Sequence, residues 1–188
     1  MIFYHLLLFT SDLIKQQAFY EDTLELPLLE QSKESIVFRV GGSRLEFVQV
    51  ERDVFYHFAF NVPSHQFADA KTWLSERAPL IQDASGNDEF HSQNWNADMF
   101  YFYDVSGNIV EFIARHDLKS ELTEPFSARS LECISELGIV TDNVPRTVEQ
   151  IQNLTGASLY RATMDEQFVP VGDEMGLFII VRRERIWF

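Results

Sequence analysis

Tyr4-His5-Leu6-Leu7-Leu8 recurs as Tyr56-His57-Phe58-Ala59-Phe60 at an offset of 52 residues. In each copy a histidine sits inside a short aromatic and aliphatic run, and each run leads to a polar residue that can cap a helix: Ser11-Asp12 after the first, Ser64 after the second. A repeat of this period marks a duplicated structural unit, so the chain reads as modules rather than as one continuous pattern.

Working outward from the first copy, residues 2–10 predict a buried strand. Leu13, Gln17, Tyr20 and Leu24 keep helical spacing, and Pro27 closes that helix. Residues 28–31, 35–40 and 44–50 then read as strands, the last two joined at Gly41-Gly42, a hairpin signal. The second copy repeats the order, with a strand at 55–62, a helix from Ser64 to about Arg77, and strands at 99–104 and 108–114 joined at Ser106-Gly107. After a polar stretch at 116–130, a third copy follows. It has a strand at 137–141, a helix capped by Asn143 that begins at Pro145 and ends before Gly156, and strands at 160–163, 167–171 and 177–183. The expected architecture is α+β. Tandem βαβββ modules over residues 1–115 pair into a cup-like curved mixed sheet, 116–130 is a linker, and 131–188 is a third related module.

Composition narrows the function classes. The chain has 188 residues, 46% of them hydrophobic, which suffices for a sizeable buried core. Its 17 phenylalanines suit a core between a curved sheet and covering helices, or the wall of a pocket. Twenty-nine acidic against 15 basic residues leave a formal charge of −14, which disfavours nucleic acid and anionic membrane surfaces as partners. The lone Cys133 excludes an intramolecular disulfide. The apolar start is too short to span a bilayer and has no basic residue ahead of it, so the expectation is a soluble cytoplasmic protein.

Strand alternation places His5 with Phe3, Leu7 and Phe9, and Glu111 with Ile109 and Ile113. A carboxylate among apolar neighbours needs a compensating partner, and a metal ion or a histidine would serve. The two histidines occupy equivalent strands. Glu46 and Glu111 come from the last strand of each copy, so His5, Glu46, His57 and Glu111 form a candidate site for a divalent Zn, Ni, Co, Mn or Fe ion. A one-residue slip of the 44–50 strand would instead turn Glu46 to the surface. In the third copy Glu136 falls at the His5 position and Ile180 at the Glu111 position, a pair without a metal site of its own. His91 and Trp95, in the loop before Met99, are candidate substrate contacts, or a plain exposed loop. Tyr101 and Tyr103 share a strand face and read either as pocket lining or as core.

The segments YHLLLFTSDLIKQQAFYEDTLEL, SRLEFVQV, YHFAFNV and FYFYDVSGNIVEFIA together resemble the vicinal oxygen chelate superfamily, which includes glyoxalase I, bleomycin and fosfomycin resistance proteins and extradiol ring-cleaving dioxygenases. The most specific part is Asp104 to Glu111, Asp-x-x-Gly-Asn-x-x-Glu. The resemblance implies a cup-shaped fold and a metal with open positions that takes two adjacent oxygens of a small-molecule substrate. It also implies catalytic roles for Glu46 and Glu111. Glu46 as a fourth ligand points to glyoxalase-like lyase or isomerase chemistry. The alternatives are a ring-cleaving dioxygenase or a bleomycin-resistance-like binding protein. Because this superfamily pairs its modules within a chain or across a dimer, an unmated third module predicts a homodimer.

Overall fold

The computed structural model describes residues 1–185. It contains three related units, two of order βαβββ and a third of order βαββ, each with one face of a curved sheet packed on a core and the other face open. The first unit comprises β1 (His5–Thr10), α1 (Leu13–Ala18), β2 (Leu28–Gln31), β3 (Ser35–Val40) and β4 (Ser43–Gln49). The second comprises β5 (His57–Asn61), α2 (Phe67–Ser75), β6 (Phe90–Ser92), β7 (Ala97–Tyr103) and β8 (Ile109–Arg115). The third comprises β9 (Cys133–Thr141), α3 (Val144–Thr155), β10 (Phe168–Asp173) and β11 (Gly176–Arg182).

The three units share one internal register. In every unit the first strand runs parallel to the last: His5 lies opposite Arg44, His57 opposite Ile109 and Glu136 opposite Leu177. The residue seven positions after each of these, Asp12, Ser64 or Asn143, opens the helical segment. Asp12 and Asn143 cap by accepting from the backbone N–H three residues on. Ser64 makes no such bond and starts a 3-10 turn ahead of α2. The same register puts Glu46, Glu111 and Ile179 in equivalent places, opposite Leu7, Ala59 and Gly138. Ile179 therefore stands where Ile180 was expected; counting from the hairpin glycine misplaces the strand by one residue.

Pairing between units departs from the expected layout. β1 to β4 form their own sheet in the order β1-β4-β3-β2, whereas β5 to β11 form one seven-stranded sheet in the order β10-β11-β9-β5-β8-β7-β6. The complete cup thus joins the second and third units through the antiparallel contact of β5 with β9. The first unit lies behind it, and the closed sides of the first two sheets share a core that includes Leu6, Leu8, Tyr20, Phe38, Phe47, Phe58, Phe60, Phe100, Phe102 and Phe112. Most of the phenylalanine excess fills this core, at about 1.5–3 kcal/mol of transfer free energy for each fully buried ring. A buried hub ties the units together. Asp104, in the β7–β8 turn, accepts from Gln16 Nε2 (2.6 Å), Tyr20 OH (3.0 Å) and Asn108 Nδ2 (2.8 Å), and from the backbone N–H groups of Ser106 and Asn108.

Other differences are local. The first helix continues past Ala18 as a π-helical turn over Phe19–Thr23, closed by the Leu24 N–H on the Phe19 carbonyl at 2.9 Å. Residues 160–163 form no strand; a single bridge links Leu159 to Val171. The 116–130 segment is more than a solvated linker, since Phe126 is buried and packs edge-on against Trp73 at 5.6 Å. Gly41 holds a left-handed backbone (φ 52°), and a Cβ there would meet the Glu132 carbonyl oxygen at 2.0 Å. The glycine thus serves both the β3–β4 turn and the approach of the third unit. No helix among the described residues is long and apolar enough to cross a membrane.

Candidate metal centre

On β8 the odd-numbered residues face the open side of the seven-stranded sheet, so Ile109, Glu111, Ile113 and Arg115 point into the cup while Val110, Phe112 and Ala114 face the core. β8 lies between β5 and β7, which is why even its polar members are covered: Glu111 is 2% exposed and Arg115 1%. From β5, His57 enters the same space. From β9, Glu136 enters it, because Ala59 and Glu136 are directly opposed across the β5–β9 contact. The three ligand atoms of His57, Glu111 and Glu136 lie within 4.8 Å of one another, all in buried residues.

The hydrogen bonds orient each group. His57 Nδ1 lies 3.2 Å from the Ile109 carbonyl, which can only accept, so Nδ1 carries the proton. Nε2 faces Glu111 Oε2 at 3.5 Å and Glu136 Oε2 at 3.9 Å, the side from which a neutral ring would offer its lone pair to a metal. Glu136 gives its other oxygen to Arg115 in a buried ion pair, and the Arg115 guanidinium lies 5.5 Å from the Trp95 ring centre and 5.8 Å from that of Tyr160. Burial, and after it the charge of Glu136, push the Glu111 carboxyl well above its ordinary pKa, against the opposing effects of Arg115 and Tyr101. Burial and the two glutamates likewise raise the Tyr101 phenol, which stays protonated. Glu111 Oε1 is buried without a hydrogen-bond partner.

These observations fit a divalent cation. It would meet the unsatisfied Glu111 oxygen, neutralise two adjacent carboxylates and take the His57 lone pair. The donor set of one imidazole and two carboxylates suits Zn, Mn, Fe, Co or Ni. The centre opens into a cavity of about 200 Å³ lined by His57, Trp95, Tyr101, Glu111, Phe168 and Ile179, among others.

The residues expected from the sequence are divided between two places. His57 and Glu111 stand in this centre. His5 and Glu46 stand together in the first sheet, Nε2 to Oε2 2.8 Å, outside the group that His57 and Glu111 form. The four-residue set is therefore not assembled within one chain, because the first and second sheets meet through their closed sides. Trp95 and Tyr101 line the cavity. His91 lies on β6, not in a loop, and pairs with Asp98 at 2.7 Å on the surface; Asp98 also pairs with His116. Tyr103 is exposed. Neither His91 nor Tyr103 is among the described residues lining the cavity.

Glu136 and Arg115 are the additions. Glu136 was legible as the His5 equivalent, and it brings a carboxylate of the third copy within reach of His57 and Glu111. Arg115 shares the parity of Glu111 along β8, four residues on, and that is the signal that would have found it.

No family model matches the chain. Among curated proteins, the metallothiol transferase FosB of Lysinibacillus sphaericus (strain C3-41) is 31% identical over 116 residues, covering 57% of this chain and 78% of the relative. Among solved structures, a candidate dioxygenase from Bacillus subtilis subsp. subtilis strain 168 superposes with a TM-score of 0.69 at 15% identity over 96% of this chain. The present chain spans 63% of that protein's length. A V278E mutant of glyoxalase I from Zea mays superposes with a TM-score of 0.63 at 13% identity, covering 98% of this chain and 68% of the other. At these identities the structures show the fold, while the FosB relationship reaches the level of family. The chain belongs to the vicinal oxygen chelate superfamily of glyoxalases, fosfomycin resistance proteins and dioxygenases.

Proposed function

We propose that the protein is a metal-dependent, glyoxalase-like enzyme of lyase or isomerase type, acting in the cup of the second and third units on a small molecule that presents two adjacent oxygens. The observation that carries this reading is the buried His57, Glu111 and Glu136 group opening on a small cavity. A divalent cation bound there supplies Lewis-acid polarisation of substrate oxygens. His57 offers Nε2, its ring fixed by the Ile109 carbonyl. Arg115 holds Glu136 by one oxygen and leaves the second facing His57. Glu111 is the proton carrier: its carboxylate, facing the cup between β5 and β7, is placed to accept a proton from substrate carbon and return it. Tyr101, kept protonated, stands opposite Glu111 across β7 and β8 and donates to its carboxylate, holding it in place. Trp95, Phe168 and Ile179 form apolar walls that limit water around Glu111. We place the enzyme in the cytoplasm, where its lone buried cysteine is at home, and take it to work as a homodimer.

One observation favours a second reading. Ile179, which has no donor atom, stands in the third unit where Glu111 stands in the second, so a cation held there would take its protein ligands from His57, Glu111 and Glu136 alone and leave the rest to substrate and solvent. That suits a ring-cleaving oxygenase. The discriminating experiment incubates protein loaded separately with Zn, Ni, Mn or Fe with a thiol adduct of methylglyoxal under nitrogen and with a catechol in air. Isomerisation under nitrogen, lost in Glu111→Gln, supports the first reading; oxygen consumption with catechol supports the second. Ligand-dependent stabilisation without turnover would instead make the protein a binding module.

A further inference from the structure

The open face of the seven-stranded sheet carries an apolar cluster in each of its two units. Ala59, Ala97, Met99 and Ile113 form that of the second unit, and Tyr160, Leu177, Ile179 and Val181 that of the third. Trp95 packs against both, and it also lines the cavity at the metal centre. Its indole stacks on Phe168 at 6.3 Å and 27°, meets the Tyr160 ring edge-on at 5.9 Å, and lies 5.5 Å from the Arg115 guanidinium. Yet Trp95 sits in the turn between β6 and β7, where no strand ladder fixes it.

The third unit holds that turn instead. Asn94 and Arg161 exchange bonds, Asn94 Nδ2 donating to the Arg161 carbonyl at 2.9 Å and Arg161 Nη1 to the Asn94 carbonyl at 3.1 Å. Asp117, just past β8, takes both sides at once: Asn96 Nδ2 donates to one oxygen at 2.8 Å and Arg161 Nη2 to the other at 2.5 Å. Arg161 also reaches Glu174 at 3.1 Å. Asn96 and Arg161 both hold left-handed backbones, with φ of 49° and 46°. Asparagine adopts this conformation readily, whereas arginine does so at a cost that its surroundings must cover. Strain of this kind gathers at clamps around binding sites. Here each strained residue follows one of two touching rings, Trp95 and Tyr160, and one carboxylate ties the pair.

The cavity behind this wall has about 200 Å³, less than the roughly 300–1,000 Å³ of pockets that enclose drug-sized ligands. We propose that Trp95, held by the clamp of Asn94, Arg161 and Asp117, sets the size limit of the metal centre, and that the ligand it admits is a two-oxygen chelator no wider than about one six-membered ring. The inference rests on the metal-bearing cup taken above but not on the reaction assigned to it. Trp95 is the specificity residue; Arg161 and Asp117 act through it as positioning residues.

The test loads the full chain with Co(II) and titrates it with acetohydroxamate, benzohydroxamate and 2-naphthohydroxamate, following the visible Co(II) spectrum. All three present the same two oxygens, so their relative affinities report the room around the metal. Wild type should bind the naphthyl probe at least about tenfold more weakly than the phenyl one, and Trp95→Ala should bring the two within about threefold. If that variant does not fold, Trp95→Leu keeps apolar packing and still shortens the wall. Arg161→Met should relax the ratio in part and raise acrylamide quenching of tryptophan fluorescence, read as the difference from Trp95→Phe. A naphthyl probe bound by wild type as well as the phenyl one, or a ratio indifferent to Trp95→Leu, overturns the size limit. Thermal stability lowered by Arg161→Met with ratio and quenching unmoved overturns the clamp. Discrimination that depends on Trp95 in protein without turnover upholds the inference and defeats the function proposed above, whereas protein that takes up no Co(II) overturns both.

Discussion

Glu136 lies opposite Ala59 where β9 pairs with β5, and this contact sets its carboxylate beside His57. The two residues are 77 positions apart in sequence, so the centre depends on the third unit docking correctly on the second. Both electrostatics and folding at the site follow from that arrangement.

Glu111 gives the clearest pH prediction. Its folded pKa is raised above the ordinary value of 4.5, chiefly by burial. A carboxyl shifted upward contributes stability that is complete below its unfolded pKa and lost as pH rises through the folded value. Metal-free protein should therefore lose stability from about pH 4.5 upward, and Glu111→Gln should remove that part of the slope. At neutral pH the metal-free variant is expected to be more stable than wild type by about 1–3 kcal/mol. Urea midpoints at a series of pH values check this; a lower midpoint for the variant at neutral pH would refute the assignment.

Arg115 should behave as one half of a buried pair. Arg115→Met leaves Glu136 charged and uncompensated, at an expected cost of about 3–5 kcal/mol in metal-free protein. Arg115→Met with Glu136→Leu should recover most of that loss while abolishing metal binding in the cup. A double variant no better than the single one would show that Arg115 acts through packing on Trp95 and Tyr160 rather than through its charge.

Asp104 links the first unit to the second. Removing it orphans the donors of Gln16, Tyr20 and Asn108 together. Asp104→Ala is expected to cost about 3 kcal/mol, and Asp104→Asn, which keeps one oxygen, less. Tyr20 supplies a spectroscopic check, because burial and then Asp104 raise its pKa well above the usual phenol range. In Asp104→Ala the Tyr20 ionisation should move down from its wild-type position while burial, the larger cause, still holds it above the ordinary phenol range.

Gly41→Ala tests the junction between the first and third units. The new methyl would fall on the Glu132 carbonyl, and the backbone is left-handed at that point. Thermal unfolding should shift down by roughly 2–4 °C for each kcal/mol lost in a chain of this size. Gly42→Ala, with only an ordinary contact at 3.8 Å, should shift far less. Equal effects would mean that the hairpin alone, and not the docked third unit, sets the requirement.

Much of this protein was written along the chain. The duplicated Tyr-His runs, the capping residues and the alternation around Glu111 determined three related strand–helix–strand units, the facing of His57 and Glu111 into a common space, and the equivalence of His5 and Glu136, because these follow from local periodicity and backbone geometry. The tertiary structure decided which units pair. A repeat makes every first strand a plausible mate for every other, so the sequence allowed His5 and Glu46 to meet His57 and Glu111. Docking the first two sheets back to back buries the phenylalanine core between them and turns their open faces apart. That packing choice grouped His57 and Glu111 with Glu136 and its partner Arg115, and left His5 on the edge strand β1 beside Glu46 of the neighbouring β4.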